Sequence, residues 1–239
     1  MEATGGRIDA GRVIGQAFET YREYAGPLLG GAVIVIGITA IISALLGATG
    51  SLFLIVLGSI IAFVAQFLYT GYVVKLVQDV RDGRMDASVG ELFSAAAPYI
   101  GTLILNGILA GIAIAIGFFL LIIPGLILIT IWAVISPSIV VENRGVIEAF
   151  GRSRELVRGD GWSVFGVIVL AFLIVIGVGI VAGIIGAAIG DDVGRVIVQT
   201  IANVLTVPIA ALVSSILFFD LGGGADAPST APEAPAPAV

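Results

Sequence analysis

The stretch that decides the fold runs from Pro124 to Trp162, PGLILITIWAVISPSIVVENRGVIEAFGRSRELVRGDGW. It opens on a Pro-Gly turn and continues as an uncharged apolar run from Leu126 to Val141. Glu142 ends that run, and a charged amphipathic segment carries the chain to Gly161-Trp162. A second apolar run follows at once. This order predicts a span leaving a bilayer, a helix lying along its surface, and the next span going back in.

The rest of the chain repeats that pattern and has the composition it requires. Of 239 residues 59% are hydrophobic and only 12% charged, against roughly half and about a quarter in soluble domains. The uncharged runs from Pro27 to Tyr69 and from Leu92 to Val141 exceed the ~20 residues needed to cross ~30 Å of hydrocarbon. The formal net charge is −6, with the acidic excess spread over loops and tail. About 26 mostly polar residues precede the first apolar run, too many for a signal-peptide head, so no cleavage is expected.

From Asp9, a candidate N-cap, to Tyr24, Val13, Ala17, Tyr21 and Tyr24 share a face with Ile14 and Phe18 beside them. Arg12, Gln16, Glu19 and Glu23 fill the other side, the pattern of a helix lying in the headgroup layer. The first span is expected from Pro27 to Ala48 and the second from Leu52 to Val77, with Tyr69 and Tyr72 as an interfacial aromatic belt. Ser88 and Glu91 form a capping box for a short helix through Leu92 and Phe93 that stops near Pro98. The third span is expected from Tyr99 to Ile123, and Pro124-Gly125 turns it into the fourth, Leu126 to Val141. In the next surface segment Val146, Ala149, Phe150, Ser153, Leu156 and Val157 share one arc, while Glu148 and Arg152 have the spacing of a favourable ion pair. Trp162 anchors the fifth span, to Ile189, and the sixth runs from Val193 to Phe219. Residues 222–239 read as a disordered Gly/Ala/Pro tail, and residues 1–6 as frayed.

Of the eleven lysines and arginines, only Arg195 falls in the connections opposite the surface segments. By the positive-inside rule both termini are then cytoplasmic. Three surface helices each followed by two spans also make an internal repeat, at about 8–78, 84–141 and 145–219, together filling a single membrane domain over 1–221. Short echoes accompany it. Gly6-Arg7-Ile8-Asp9-Ala10 returns as Gly83-Arg84-Met85-Asp86-Ala87, and Ala17-Phe18 with Arg22-Glu23 returns as Ala149-Phe150 with Arg154-Glu155. Units that all start on one side are parallel repeats about an axis along the membrane normal.

The chemistry available is narrow. The chain has no cysteine and no histidine, which removes the thiolate nucleophile and the commonest base and metal ligand. No Asp, Glu, Lys or Arg lies mid-span, where ion-coupled transport and proton relays place such groups. The polar candidates within the spans are Gln66, Asn106, Gln199, Asn203 and Thr206. Gln199, Asn203 and Thr206 form one stripe just before Pro208. They read either as interhelical hydrogen bonds or as a polar seam between spans. The glycine pairs Gly107/Gly111, Gly179/Gly183 and Gly186/Gly190 read as close helix packing. Residues 142–160 carry equal numbers of positive and negative side chains, so no polybasic clamp for nucleic acid is present, and their charges read as paired, solvated faces.

The stretch Ile123-Pro124-Gly125-Leu126, the apolar run to Val141-Glu142, and then Ala149-Phe150, Ser153, Leu156-Val157-Arg158-Gly159 and Trp162 resembles the glycerophosphoryl diester phosphodiesterase membrane-domain family and its standalone bacterial relatives. The likeness is best over about 40 residues, and the six-span plan is compatible throughout. The resemblance implies a membrane module connected with lipids and transfers no catalytic residues, since no soluble segment here is long enough to hold a phosphodiesterase domain.

The expectation is therefore an all-α protein, a polytopic membrane helical bundle of six transmembrane helices and three interfacial amphipathic helices. Phe18, Phe93, Phe150 and Trp162 are its expected interfacial anchors. It is read as a non-enzymatic, membrane-organising or lipid-associated module without cofactor or metal. Membrane lipids are the expected partners, with other membrane proteins or a second copy of the chain as further ones. The alternative is a passive transporter or channel for a small solute or lipid, using the polar seam.

Overall fold

A computed structural model of the chain describes residues 8–190 and 192–224. Residues 1–6 and the tail beyond Gly224 lie outside the described part. Every regular element among the described residues is helical: α1 (Ala10–Glu23), α2 (Ala25–Gly47), α3 (Leu52–Asp79), α4 (Val89–Ala96), α5 (Ile100–Leu120), α6 (Ile122–Ile131), α7 (Ile135–Glu142), α8 (Val146–Val157), α9 (Gly161–Ile189) and α10 (Asp192–Asp220). Six helical stretches are long and apolar enough to cross a membrane: α2, α3, α4 with α5, α6 with α7, α9 and α10. The protein is a multi-pass membrane protein of the all-α class.

Side-chain caps set the starts of the three short helices α1, α4 and α8. Asp9 accepts the Arg12 amide at 2.7 Å and opens α1. Ser88 and Glu91 close a reciprocal capping box on α4, the Glu91 carboxylate accepting the Ser88 amide at 2.7 Å. Glu148 reaches back to the Gly145 amide at 3.1 Å, the carboxylate half of such a box, at the start of α8.

Three prolines explain where the chain breaks. A proline lacks its own N–H and crowds the carbonyl four residues earlier, which favours a break there, although Pro208 sits inside α10 without ending it. Pro27, Pro124 and Pro137 each occupy the third position of a helix, α2, α6 and α7. The breaks lie just upstream, at Tyr24, at Leu121 and at Trp132–Val134. Two expectations are corrected by this. The turn between the third and fourth spans is at Leu121, whose φ and ψ are −162° and 148°, and not at Pro124-Gly125. The fourth span is two helices, α6 and α7, where the sequence reading drew one.

The three hairpins α2–α3, α5–α6 and α9–α10 pack side by side. α10 meets α2 and α3, α3 meets α5 and α7, and α6 meets α9, so the set closes on itself. Each short helix lies mainly on the hairpin before its own: α4 on α3, α8 on α5, α6 and α7, and α1 on α10 and α9 at the far end of the chain. The same holds for three phenylalanines. Phe93 stacks on Tyr72 of α3 at 4.3 Å and Phe150 meets Trp132 edge-on at 4.7 Å. Phe18, with Ile14 and Ala17, borders a small cleft against Ile209, Leu212 and Val213 of α10.

The core sits at the end of the bundle that carries α1, α4 and α8. Leu28, Tyr69, Tyr72, Leu76, Val134, Ile139, Val164, Leu212 and Phe218 are all buried there. The opposite halves of the same spans expose Ile41, Leu45, Phe53, Phe119, Ile184 and Val196. Hydrocarbon is as apolar as a leucine side chain, so these halves gain nothing by hiding from lipid and need no partner.

Tyr69 and Tyr72 are core residues, a further correction to the sequence reading. Their hydroxyls donate to the Leu28 and Pro27 carbonyls at 3.0 and 2.7 Å, which lets both phenols be buried without an orphaned polar atom. Gly31 makes room for them, since a Cβ there would stand 2.7 Å from the Tyr72 ring. Gly107 does the same for Phe67, with 2.3 Å to its ring.

Candidate functional site

The candidate site is built around the break in the fourth span. Pro137 frees the Ala133 carbonyl, and Ser214 of α10 donates its hydroxyl to that oxygen at 2.7 Å. Ser153 of α8 serves the same break from the other side. Its hydroxyl donates to the Ile131 carbonyl at 2.9 Å and accepts the Val134 amide at 3.3 Å. Ser138 donates to the Val134 carbonyl at 2.8 Å. Backbone groups left unpaired at this depth would each cost several kcal/mol, on the order of 2–7. Hydroxyls from three helices satisfy them instead.

Below the break, α7 ends in a buried carboxylate. Glu142 is 5% exposed and Arg152 of α8 grips it through two nitrogens, Nε to Oε2 at 2.8 Å and Nη2 to Oε1 at 2.9 Å. Arg144 Nε adds a contact to Oε2 at 3.3 Å, and the Gly224 amide donates to Oε1 at 3.0 Å. Such a fork-on-fork pair fixes geometry as well as charge. It fastens α7, α8 and the turn after α10 to one another. The charges of this segment were expected on solvated faces. Glu142 departs from that, because α8 folds back over the end of α7. The expected Glu148–Arg152 pairing also gives way, with Arg152 turned to Glu142 and Glu148 engaged at Gly145. Gly222–Gly224 is part of this arrangement rather than of a disordered tail: the Gly223 amide donates to the Phe218 carbonyl at 2.9 Å, capping α10.

Two apolar spaces flank the break. A cavity of about 440 Å³, open on its outer side, lies among α5, α6, α9 and α10, walled by Ala110, Trp132, Ala133, Ala171, Ser214 and the exposed Phe172 together with aliphatic neighbours. On the other side of α6 a groove of about 620 Å³ runs between α6 and the start of α9, along Ile127, Thr130, Gly159, Gly161, Trp162 and Phe165. The hydroxyls that face these spaces are already bonded within the bundle, Ser214 to Ala133 and Thr130 to the Leu126 carbonyl at 2.7 Å. Apart from the indole N–H groups of Trp132 and Trp162, which have no hydrogen-bond partner among the described residues, the described lining side chains offer no free polar group. Both suit a hydrocarbon chain better than a polar solute.

The polar side chains singled out in the sequence are not brought together. Asn106 is buried and its amide donates to the Val146 carbonyl at 3.0 Å, tying α5 to α8. Thr206 is buried and donates to the Ala202 carbonyl at 2.8 Å, one turn back along α10. Gln66, Gln199 and Asn203 lie exposed on the outside of α3 and α10. None of the five lines the cavity or the groove. Of the anchors, Phe93 and Phe150 are half-buried against the neighbouring hairpin, while Phe18 is 44% and Trp162 87% exposed. Tyr21, read only as part of the apolar face of α1, donates from its hydroxyl to the Leu205 carbonyl at 3.2 Å, and burial pushes its phenol above the ordinary range. Apart from Ser153, the residues of the break were missed because Pro137 was passed over within the apolar run from Leu126 to Val141. Its distance of four from Ala133 was the available signal.

No family model, no curated protein and no solved structure matches the chain.

Proposed function

We propose that the protein is a non-enzymatic, lipid-associated module of the cytoplasmic membrane, built from three parallel helix-plus-hairpin units with both termini inside. The observation that carries this reading is the character of the two open spaces beside the break, walled almost wholly by apolar side chains and with their hydroxyls already bonded. A solute pathway needs polar groups facing one another across a wet cavity. Gln66, Gln199 and Asn203 face outward instead. The cyclic packing of each short helix on the preceding hairpin supports the repeat, and the arginines and lysine at the α1, α4 and α8 end support the orientation. The resemblance to the glycerophosphoryl diester phosphodiesterase membrane-domain family belongs to the same proposal. Its motif residues Ser153 and Trp162 stand at the break and at the groove.

The test uses the purified chain. Native mass spectrometry after extensive detergent washing is expected to find phospholipid still bound, and proteoliposomes are expected to be no more permeable to glycerol or potassium than empty vesicles. Solute flux above that background would favour the channel reading. Turnover of a glycerophosphodiester would restore the enzyme class.

A further inference from the structure

We propose that the halves of α9 and α10 nearest their connecting turn form a docking face for a second copy of the chain, paired about a two-fold axis along the membrane normal. Two stripes make the face. Phe172 and Val175 of α9 and Ala210 and Ser214 of α10 line the open cavity beside the break, which fixes the side that each helix turns to it. Positions seven and eleven residues apart on a helix keep to one side. Counted on from Phe172 these are Gly179 and Gly183, and counted back from Ala210 they are Asn203 and Gln199. All six are exposed. The two helices run antiparallel and touch where a Cβ on Gly186 would stand 3.2 Å from Arg195 Cγ. From that contact, Gly183 and Gln199 share one depth in the membrane and Gly179 and Asn203 share another. At 1.5 Å per residue these levels lie about 16 and about 10 Å beyond Phe172 and Ala210.

The stripes carry opposite shapes. On α10 the amides of Gln199 and Asn203 make no hydrogen bond to any described residue. An amide unpaired among hydrocarbon is costly, and acyl chains offer it no partner. On α9 a Cβ added at Gly179 or Gly183 would meet nothing within 4 Å, so this close-packing pair has no helix against it among the described residues. A bare glycine lets a neighbouring helix approach and brings backbone carbonyls within reach of an amide N–H. A two-fold axis along the normal keeps each residue at the depth of its counterpart and lays α10 of one copy on α9 of the other. Asn203 then meets Gly179 of the second copy and Gln199 meets its Gly183, knob against gap. A helix of another protein would have to bring small residues and amides to those same two depths. A second copy does so by symmetry.

The experiment uses the full-length chain carrying Thr49→Cys on the α2–α3 turn, labelled with a donor dye in one batch and an acceptor dye in another. The batches are mixed in detergent, reconstituted in vesicles of phosphatidylethanolamine and phosphatidylglycerol, and diluted stepwise with lipid. Energy transfer is expected to exceed the random-collision level and to fall with dilution as a dimer requires. Asn203→Leu with Gln199→Leu is expected to weaken association about tenfold, and Gly179→Leu with Gly183→Leu by at least as much. All four positions are exposed, so these variants keep the fold of the single chain, checked by circular dichroism. Gln66→Leu, which removes an exposed amide of α3, leaves association unchanged. Transfer no greater than random collision in the wild type overturns the second copy as occupant and leaves the face to lipid or to a helix of another protein. Dimers indifferent to either pair of substitutions, or weakened as much by Gln66→Leu, overturn this face.

Discussion

Glu142 shows how much one residue can hold in place here. Its carboxylate is buried, yet four contacts from Arg152, Arg144 and Gly224 converge on its two oxygens. The pair costs much of its Coulomb energy in lost hydration, so its net worth is smaller than its geometry implies. Removing one partner is different, because the other is left charged and buried. Glu142→Ala and Arg152→Ala are each expected to destabilise the protein by about 3–5 kcal/mol, and the double variant by clearly less than their sum. Denaturant unfolding in mixed micelles measures this. Additive losses would mean that the two side chains do not act as a pair. The sequence showed the charges of this segment in equal number, and that balance hid the pairing. Which arginine reaches which carboxylate depends on α8 folding back over α7, a contact ten residues apart in sequence that no local spacing reveals.

Among the elements, those set by short-range chemistry were legible and those set by packing were not. The arc Val146, Ala149, Phe150, Ser153, Leu156 and Val157 was read from periodicity, and it is the face of α8 turned inward. Ser88 and Glu91 were read as a capping box and make both of its bonds. Pro124 was read as the turn itself, whereas the break falls upstream at Leu121, and the break before Pro137 was not read. The helix break tests this directly. In the wild type, Ser214→Ala leaves the Ala133 carbonyl without a donor and is expected to cost about 1 kcal/mol or more. In a Pro137→Ala background residue 137 regains an N–H for that carbonyl, and the same substitution should cost much less. A double-mutant cycle by denaturant unfolding gives the coupling, and a cost of Ser214→Ala independent of residue 137 would contradict the account of the break. Tyr69 and Tyr72 were placed at an interface because phenols favour one. Burial became available through the Pro27 and Leu28 carbonyls and the missing side chain of Gly31, all on another helix.

At the scale of the whole molecule, six spans gather at the end that bears the short helices and leave their opposite halves to lipid. α1 closes the arrangement by packing on α10, so the first and last units are neighbours. The number of spans was legible from uncharged length alone. The polar seam was not, because Gln199 and Asn203 at helical spacing share a stripe whichever way the helix faces. The account stands on all three short helices lying on one side of the membrane, with the α2–α3 and α9–α10 turns on the other. The chain contains no cysteine, so single substitutions can be read without background. The decisive measurement labels intact cells with a membrane-impermeant maleimide in Thr49→Cys, Val193→Cys, Asp86→Cys and Arg158→Cys variants. Thr49→Cys and Val193→Cys should label from outside, and Asp86→Cys and Arg158→Cys only after the membrane is opened. Labelling of Asp86→Cys or Arg158→Cys in intact cells, or protection of either turn, would contradict the topology on which every other statement rests.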